Sequence, residues 1–198
     1  MPSRSATKNK PRKNASRSRG SLVITLGGLA GSGKSTAAAA LTKKFKLRHV
    51  SAGDMFRAIA KERKMDLIQL GRYAERHPKF DEELDKRMLA EARKGGVILD
   101  GRATAFLTKK SRIPALRIFL MVDPKVSANR VAMRDGISVA KALKSSQIRE
   151  REIARRLKTL YGLDTKDTSA YDAVIETDGY SVQEVVNLII QLVKYGRN

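Results

Sequence analysis

"GLAGSGKST", Gly28–Thr36, puts three glycines immediately before Lys34, Ser35 and Thr36. The apolar run "SLVITLG" (21–27) precedes it and "AAAALTKKF" (37–45) follows it. The stretch satisfies G-x-x-x-x-G-K-[ST] through Gly28, Gly33, Lys34 and Ser35, in the strand-then-helix setting that gives the pattern its meaning. Glycines permit left-handed dihedrals and close backbone approach to a ligand. Successive N–H groups, reinforced by a helix N-terminus, then converge on an anion. Gly28, Leu29, Ala30, Gly31, Ser32 and Gly33 are thus expected to cradle a nucleoside triphosphate. Lys34 should reach the β- and γ-phosphates, Ser35 should ligand Mg²⁺, and Thr36 should meet the α-phosphate. A ligand-free glycine turn would leave the adjacent Lys34 and Ser35 unexplained.

Working outward, apolar runs alternate with helical periodicity. Strands are expected over 22–27, 48–51, 97–101, 116–123 and 173–177. Helices are expected over 35–46, 54–64, 66–76, 81–94, 124–134, 138–160 and 181–195. Strands apolar at consecutive positions belong to a parallel sheet covered on both faces. Five of them alternating with helices predict a three-layer α/β P-loop NTPase fold with a five-stranded parallel sheet. In "VILDGR" (97–102), Asp100 falls at a strand's C-terminal end, where open sheets bind ligands. It is expected to hold a water on the magnesium; the plainer reading is a turn aspartate before Gly101.

The charge pattern suggests what receives a phosphate. "SAGDMFR" (51–57) offers Ser51, Gly53 and Arg57 just beyond the second strand, and Arg102 follows the third. "IREREIARRLKTLYG" (148–162) carries Arg149, Arg151, Arg155 and Arg156, with Arg149 and Arg156 on one face and Ile153, Leu157 and Leu160 on another. Glu152 is four residues before Arg156, so a solvated, salt-bridged helix is the bland alternative. Cations outnumber acids there, which favours a lid closing over phosphates.

Four segments, "GLAGSGKST", "SAGDMFRAIAKER", "LDGRATAF" and "REREIARRLKTLYGLD…YDAVIET", resemble the nucleoside monophosphate kinases, most of all the archaeal-type cytidylate kinases. The resemblance covers roughly residues 22–190. It implies a monophosphate-binding region over about 52–95, a short helical lid over about 135–160, and the reaction ATP + (d)CMP → ADP + (d)CDP. By position, it makes Lys34, Arg102, Arg149, Arg155 and Arg156 the catalytic cations. Arg57 and Arg102 become the acceptor clamp, with Ser51, Gly53 and Asp54 beside them. The bacterial members place a carboxylate after the arginine of "DGR", where it helps read cytosine; here that position is Ala103. Asp54, Asp81 and Asp85 are the carboxylates left to accept from a cytosine amino group.

Composition narrows the class. A hydrophobic content of 41% suffices for a core, and 198 residues suggest one domain. Without cysteine there are no disulfides or thiolate metal sites, which fits a cytoplasmic protein. No apolar run is long enough for a membrane span, and the basic N-terminus lacks a signal-peptide core. The formal net charge is +21, of which seven cations and no acid lie in residues 1–20. That segment reads as a disordered basic tail capable of weak RNA contact, ahead of a 21–198 kinase domain expected to act as a monomer. A transit peptide would need amphipathic apolar positions that this segment lacks. Two rivals remain: a P-loop kinase of another small acceptor, a different monophosphate or an alcohol such as shikimate, or a nucleotide-dependent RNA- or ribosome-binding factor. An alcohol kinase needs a carboxylate to take the hydroxyl proton, for which Asp54 is the best placed.

Overall fold

The computed structural model describes residues 22–195. The basic segment 1–20 lies outside them. The elements run β1 (Val23–Gly28), α1 (Lys34–Phe45), β2 (Arg48–Ser51), α2 (Ala52–Glu62), α3 (Leu67–Arg76), α4 (Pro78–Lys94), β3 (Val97–Asp100) and α5 (Thr104–Lys110). They continue with β4 (Leu116–Met121), α6 (Pro124–Asp135), α7 (Val139–Tyr161), β5 (Ala173–Glu176) and α8 (Val182–Tyr195).

All five strands are parallel, in the order β2-β3-β1-β4-β5. Every β1 position is buried, because the strand is central and covered on both faces. On one face, Ile24, Leu26, Ile98, Ile118 and Leu120 pack with Ala38 and Leu41 of α1 and Ile189 of α8. On the other, Val23, Val97 and Leu99 meet Met88 and Ala92 of α4. Each large side chain fully removed from water contributes about 1.5–3 kcal/mol, so the sheet is a rigid platform. The chain leaves β1 toward β2, returns through β3, then crosses to β4. Strand order therefore reverses around β1, and the crevice beyond its C-terminal end is where such sheets bind ligands.

Helix starts follow local chemistry. Ser51 caps α2, accepting from the Asp54 N–H at 3.1 Å, so the helix begins two residues earlier than its periodicity suggests. Asp66 and Gln69 form a reciprocal capping box on α3. Asp123 caps α6, which ends β4 before it. Gly136 and Gly162 close α6 and α7 in left-handed conformations. Helix α5 has no counterpart among the helices expected from sequence: its N-cap, Ala103, offers no capping side chain, and seven residues show little periodicity. No helix among the described residues is long and apolar enough to cross a membrane.

Candidate active site

The glycine loop joins β1 to α1 at the C-terminal edge of the sheet. Gly28 and Gly31 have positive φ, and a Cβ on either would strike backbone: the Leu120 carbonyl at 2.2 Å or the Ser127 carbonyl at 2.7 Å. The loop is thus pressed against β4 and α6 in a way only glycine allows. Helix α6 holds it there, with Ser127 Oγ donating to the Ala30 carbonyl at 2.6 Å and Arg130 to the Gly31 carbonyl at 3.3 Å.

Lys34 folds back over this loop. Its Nζ donates to the carbonyls of Gly28 at 2.9 Å and Leu29 at 2.6 Å. Gly28 and Leu29 themselves stand behind the cavity wall, which begins at Ala30. They would act by holding Lys34 rather than by touching a nucleotide. Desolvation pulls the Lys34 pKa down to about 8, with the Asp100 charge partly opposing it.

Ser35 Oγ donates to Asp100 Oδ2 at 3.1 Å. This joins the start of α1 to the end of β3 and brings together two oxygen ligands of the kind a hard cation takes. Two protein oxygens suit Mg²⁺, which keeps several waters and takes its remaining ligands from phosphates. The residues present therefore fit the ion. His49 Nε2 lies behind them, 4.0 Å from Asp100 Oδ2.

One cavity of about 660 Å³ runs from this loop to the helices between β2 and β3. Ser51, Gly53, Arg57, Arg102, Arg149 and Arg156 all line it, drawn from β2, α2, α7 and the turn after β3. Arg102 is ion-paired with Glu150 of α7, and Arg57 with Asp54. Arg149 is held below the usual arginine range, first by burial and then by the Arg102 cation, with Glu150 opposing. Arg57, Arg102 and Arg156 each have one acid partner and Arg149 has none among the described ion pairs, a surplus of cations that suits an anion.

Three expectations need correction. Asp54 does not line the cavity: its side chain is 62% exposed and turned to Arg57, one helical turn along α2. Arg155 is also off the cavity, reaching Glu75 of α3 at 3.1 Å on the surface. Ile153 and Leu157 line the same cavity as Arg149 and Arg156, so the apolar and cationic positions of α7 share a wall. The bland Glu152–Arg156 pairing is absent from the ion pairs; Arg156 Nε approaches buried Asp81 at 2.8 Å, and Glu152 faces Arg72 of α3 at 4.0 Å.

Sequence reasoning missed other cavity residues. Arg130 and Arg134, one turn apart on α6, face it, as do Tyr180, Ser181 and Val182 ahead of and within α8. The i, i+4 spacing in "NRVAMRD" was the available signal. Tyr171 had none. A Cβ at Gly27 would lie 2.2 Å from its hydroxyl, which also contacts the Arg102 carbonyl at 3.4 Å.

Residues 23–179 match the cytidylate kinase-like family. The chain belongs to that family. As a cytidylate kinase-like chain it is 41% identical over 169 residues to the cytidylate kinase of Methanocaldococcus jannaschii, a match covering 85% of this chain and 95% of that one. It is also 41% identical over 176 residues to the cytidylate kinase of Methanopyrus kandleri, covering 85% and 91%. Among solved structures, an uncharacterised protein from Eubacterium ventriosum superposes with a TM-score of 0.62 at 17% identity, covering 87% and 98%. A shikimate kinase from Bacteroides thetaiotaomicron does so with a TM-score of 0.58 at 14% identity and the same coverage. These two likenesses carry the fold of this cytidylate kinase-like chain and nothing about its acceptor.

Proposed function

We propose that the chain transfers the γ-phosphoryl group of ATP to CMP or dCMP, giving ADP and the diphosphate. The observation that supports this most is the continuity of the cavity. A triphosphate loop at one end and Arg57, Arg102 and Arg149 further along line a single space, so two anionic substrates can meet inside it. Family membership over residues 23–179 points to the same acceptor.

The chemistry needs little beyond positioning. A nucleoside monophosphate is mostly dianionic at neutral pH, since its second pKa is near 6. Its oxygen can attack without a general base. What opposes the reaction is repulsion between two polyanions, and the loose transition state spreads charge over the transferred group's oxygens. Lys34 would leave the loop carbonyls for the β- and γ-phosphates. Arg57 and Arg102 would exchange Asp54 and Glu150 for the acceptor phosphate. Arg149, already desolvated, would face the transferring group. Charge preorganised in this way usually supplies the largest share of an enzyme's rate enhancement. Ser35 would ligand Mg²⁺ and Asp100 would hold one of its waters, and the ion would supply further charge neutralisation on the phosphates. Both ends of the cavity come from one chain, so a monomer would be the active species.

The base named for the alcohol-kinase reading, Asp54, lies outside the cavity and faces Arg57. A coupled assay of ADP release with CMP, dCMP, UMP, AMP and shikimate side by side tests the proposal. CMP or dCMP should give the highest kcat/KM. Binding of ATP with no transfer to any monophosphate would overturn it.

A further inference from the structure

The edge of the sheet opposite the cavity carries charge that phosphate transfer does not use. Helices α1, α4 and α5 run back from the C-terminal edge and end at this one, each just ahead of a strand: β2, β3 and β4. Their last turns are basic and exposed, with Lys43 and Lys44 on α1, Arg93 and Lys94 on α4, and Lys109 and Lys110 on α5. Contacts gather the three ends. The Arg48 backbone N–H donates to the Gly96 carbonyl at 2.9 Å and its Nη2 to the Gly95 carbonyl at 3.0 Å. Ile113, after α5, packs in one cluster with Val23 and Val97.

A cation in the last turn of a helix is ordinary, since it complements the dipole. Two features exceed that explanation. First, acids are scarce. Among the described ion pairs, Glu91 is the one acid these helix ends meet, and Arg48 shares it with Lys94. Towards β5 the edge is balanced again, where Arg117 meets Asp172 at 3.6 Å. Second, the chain keeps cations where glycine would fit most easily. Lys46, which ends α1, and Arg112, just after α5, have φ of 55° and 52°. That left-handed region strains any residue with a Cβ. Strain retained at an exposed charged position points to a use for the side chain.

Residues 1–20 lead into the same face. They hold seven cations and no acid. The chain then enters β1, where the Leu22 carbonyl accepts from the Val97 N–H at 3.1 Å, next to Gly96. Strand β1 is six residues long, or about 20 Å of extended chain. A partner on this edge therefore leaves the cavity at the other edge open.

We propose that this edge binds a nucleic acid strand by its phosphodiester backbone, without reading its bases. Phosphates form a regular row of anions, and cations spread over separate turns match a row better than one small anion. Among the described residues, no large exposed apolar side chain falls within 43–48, 91–97 or 108–113. The face thus lacks the apolar anchors that seat a surface segment in a bilayer. This binding is independent of the kinase reading.

The test is fluorescence anisotropy of a labelled single-stranded RNA, and of DNA of the same sequence, over a range of salt. The full chain is compared with Lys46→Gly/Arg112→Gly and with Lys64→Gly. Lys64 has φ 53° and the same charge, but lies between α2 and α3, in the connection that leaves the C-terminal end of β2. Glycine relieves the backbone at all three sites, so Tm should hold or rise and lost binding is not lost fold. The double variant should weaken RNA and DNA binding alike and flatten the slope of log K against log salt by about 1.4, two phosphate contacts on a single strand. Lys64→Gly should leave that slope unmoved. A non-hydrolysable ATP analogue added with CMP should displace none of the RNA. Displacement would put the strand in the arginine-lined cavity and overturn the proposal. So would an unchanged slope in the double variant, an equal loss in Lys64→Gly, binding of RNA but not DNA, or tighter capture by phosphatidylserine vesicles than by RNA. Should the double variant fail to fold, Lys43→Gln/Arg93→Gln decides in its place by the same slope.

Discussion

Lys34 gives the sharpest residue-scale consequence. In the free chain it titrates near 8, because the walls around it disfavour charge more than Asp100 favours it. A bound triphosphate would restore its affinity for a proton, so binding takes up a proton around that pH. ATP affinity should be steady below pH 8 and weaken above it, by at most about tenfold per pH unit. Calorimetry in two buffers of different ionisation enthalpy would show the uptake; affinity unchanged from about pH 7 to about pH 9.5 would contradict it. Lys34→Ala should cost about 10²–10³ in kcat, or about 3–4 kcal/mol, with the fold intact. The lysine and its loop were legible in the sequence, because the motif and its setting are local. That Lys34 rests on the carbonyls of Gly28 and Leu29 was not, since it depends on the loop's folded curvature.

At the scale of elements, α7 carries the most consequence. It presents Arg149, Ile153, Arg156 and Leu157 to the cavity and ties Glu150 to Arg102 beyond β3. Spacing along the helix identifies a cationic face correctly in Arg149 and Arg156. Spacing alone, however, does not say which neighbouring helix each residue meets. Arg155 goes to Glu75 because α3 lies alongside, a fact of tertiary packing. Glu150 has a clear prediction. Glu150→Gln releases Arg102 from its partner, so the KM for the monophosphate should fall about three- to tenfold, the size of a partly screened charge-assisted hydrogen bond. The KM for ATP should hardly move. Equal changes in both would place Arg102 away from the acceptor. Helix α5 escaped the sequence because nothing at Ala103 announces a start; packing on α4 and on the central strand β1 defines it instead.

For the molecule as a whole, apolar runs were enough to give five parallel strands, because a strand buried on both faces cannot disguise itself. The order β2-β3-β1-β4-β5 required the structure. So did the continuous cavity along the phosphate loop, whose walls come from segments more than a hundred residues apart. Charge belongs to this scale as well. Residues 1–20 hold seven of the cations, and the remainder keeps a formal +14. We propose that this segment would help attract RNA: deleting it should leave kcat within about twofold, and any retention of the full chain on RNA, with its salt dependence, should weaken. Equal retention without the segment would assign the attraction to the folded domain. Gly27 and Tyr171 show how tightly these distant parts are joined. The ring fills the space a methyl at 27 would need, and its hydroxyl touches the backbone of Arg102. Variation at the two sites is therefore yoked: a bulkier residue on the central strand is tolerable only with a trimmed aromatic on the far segment, and that exchange would loosen the arginine's footing.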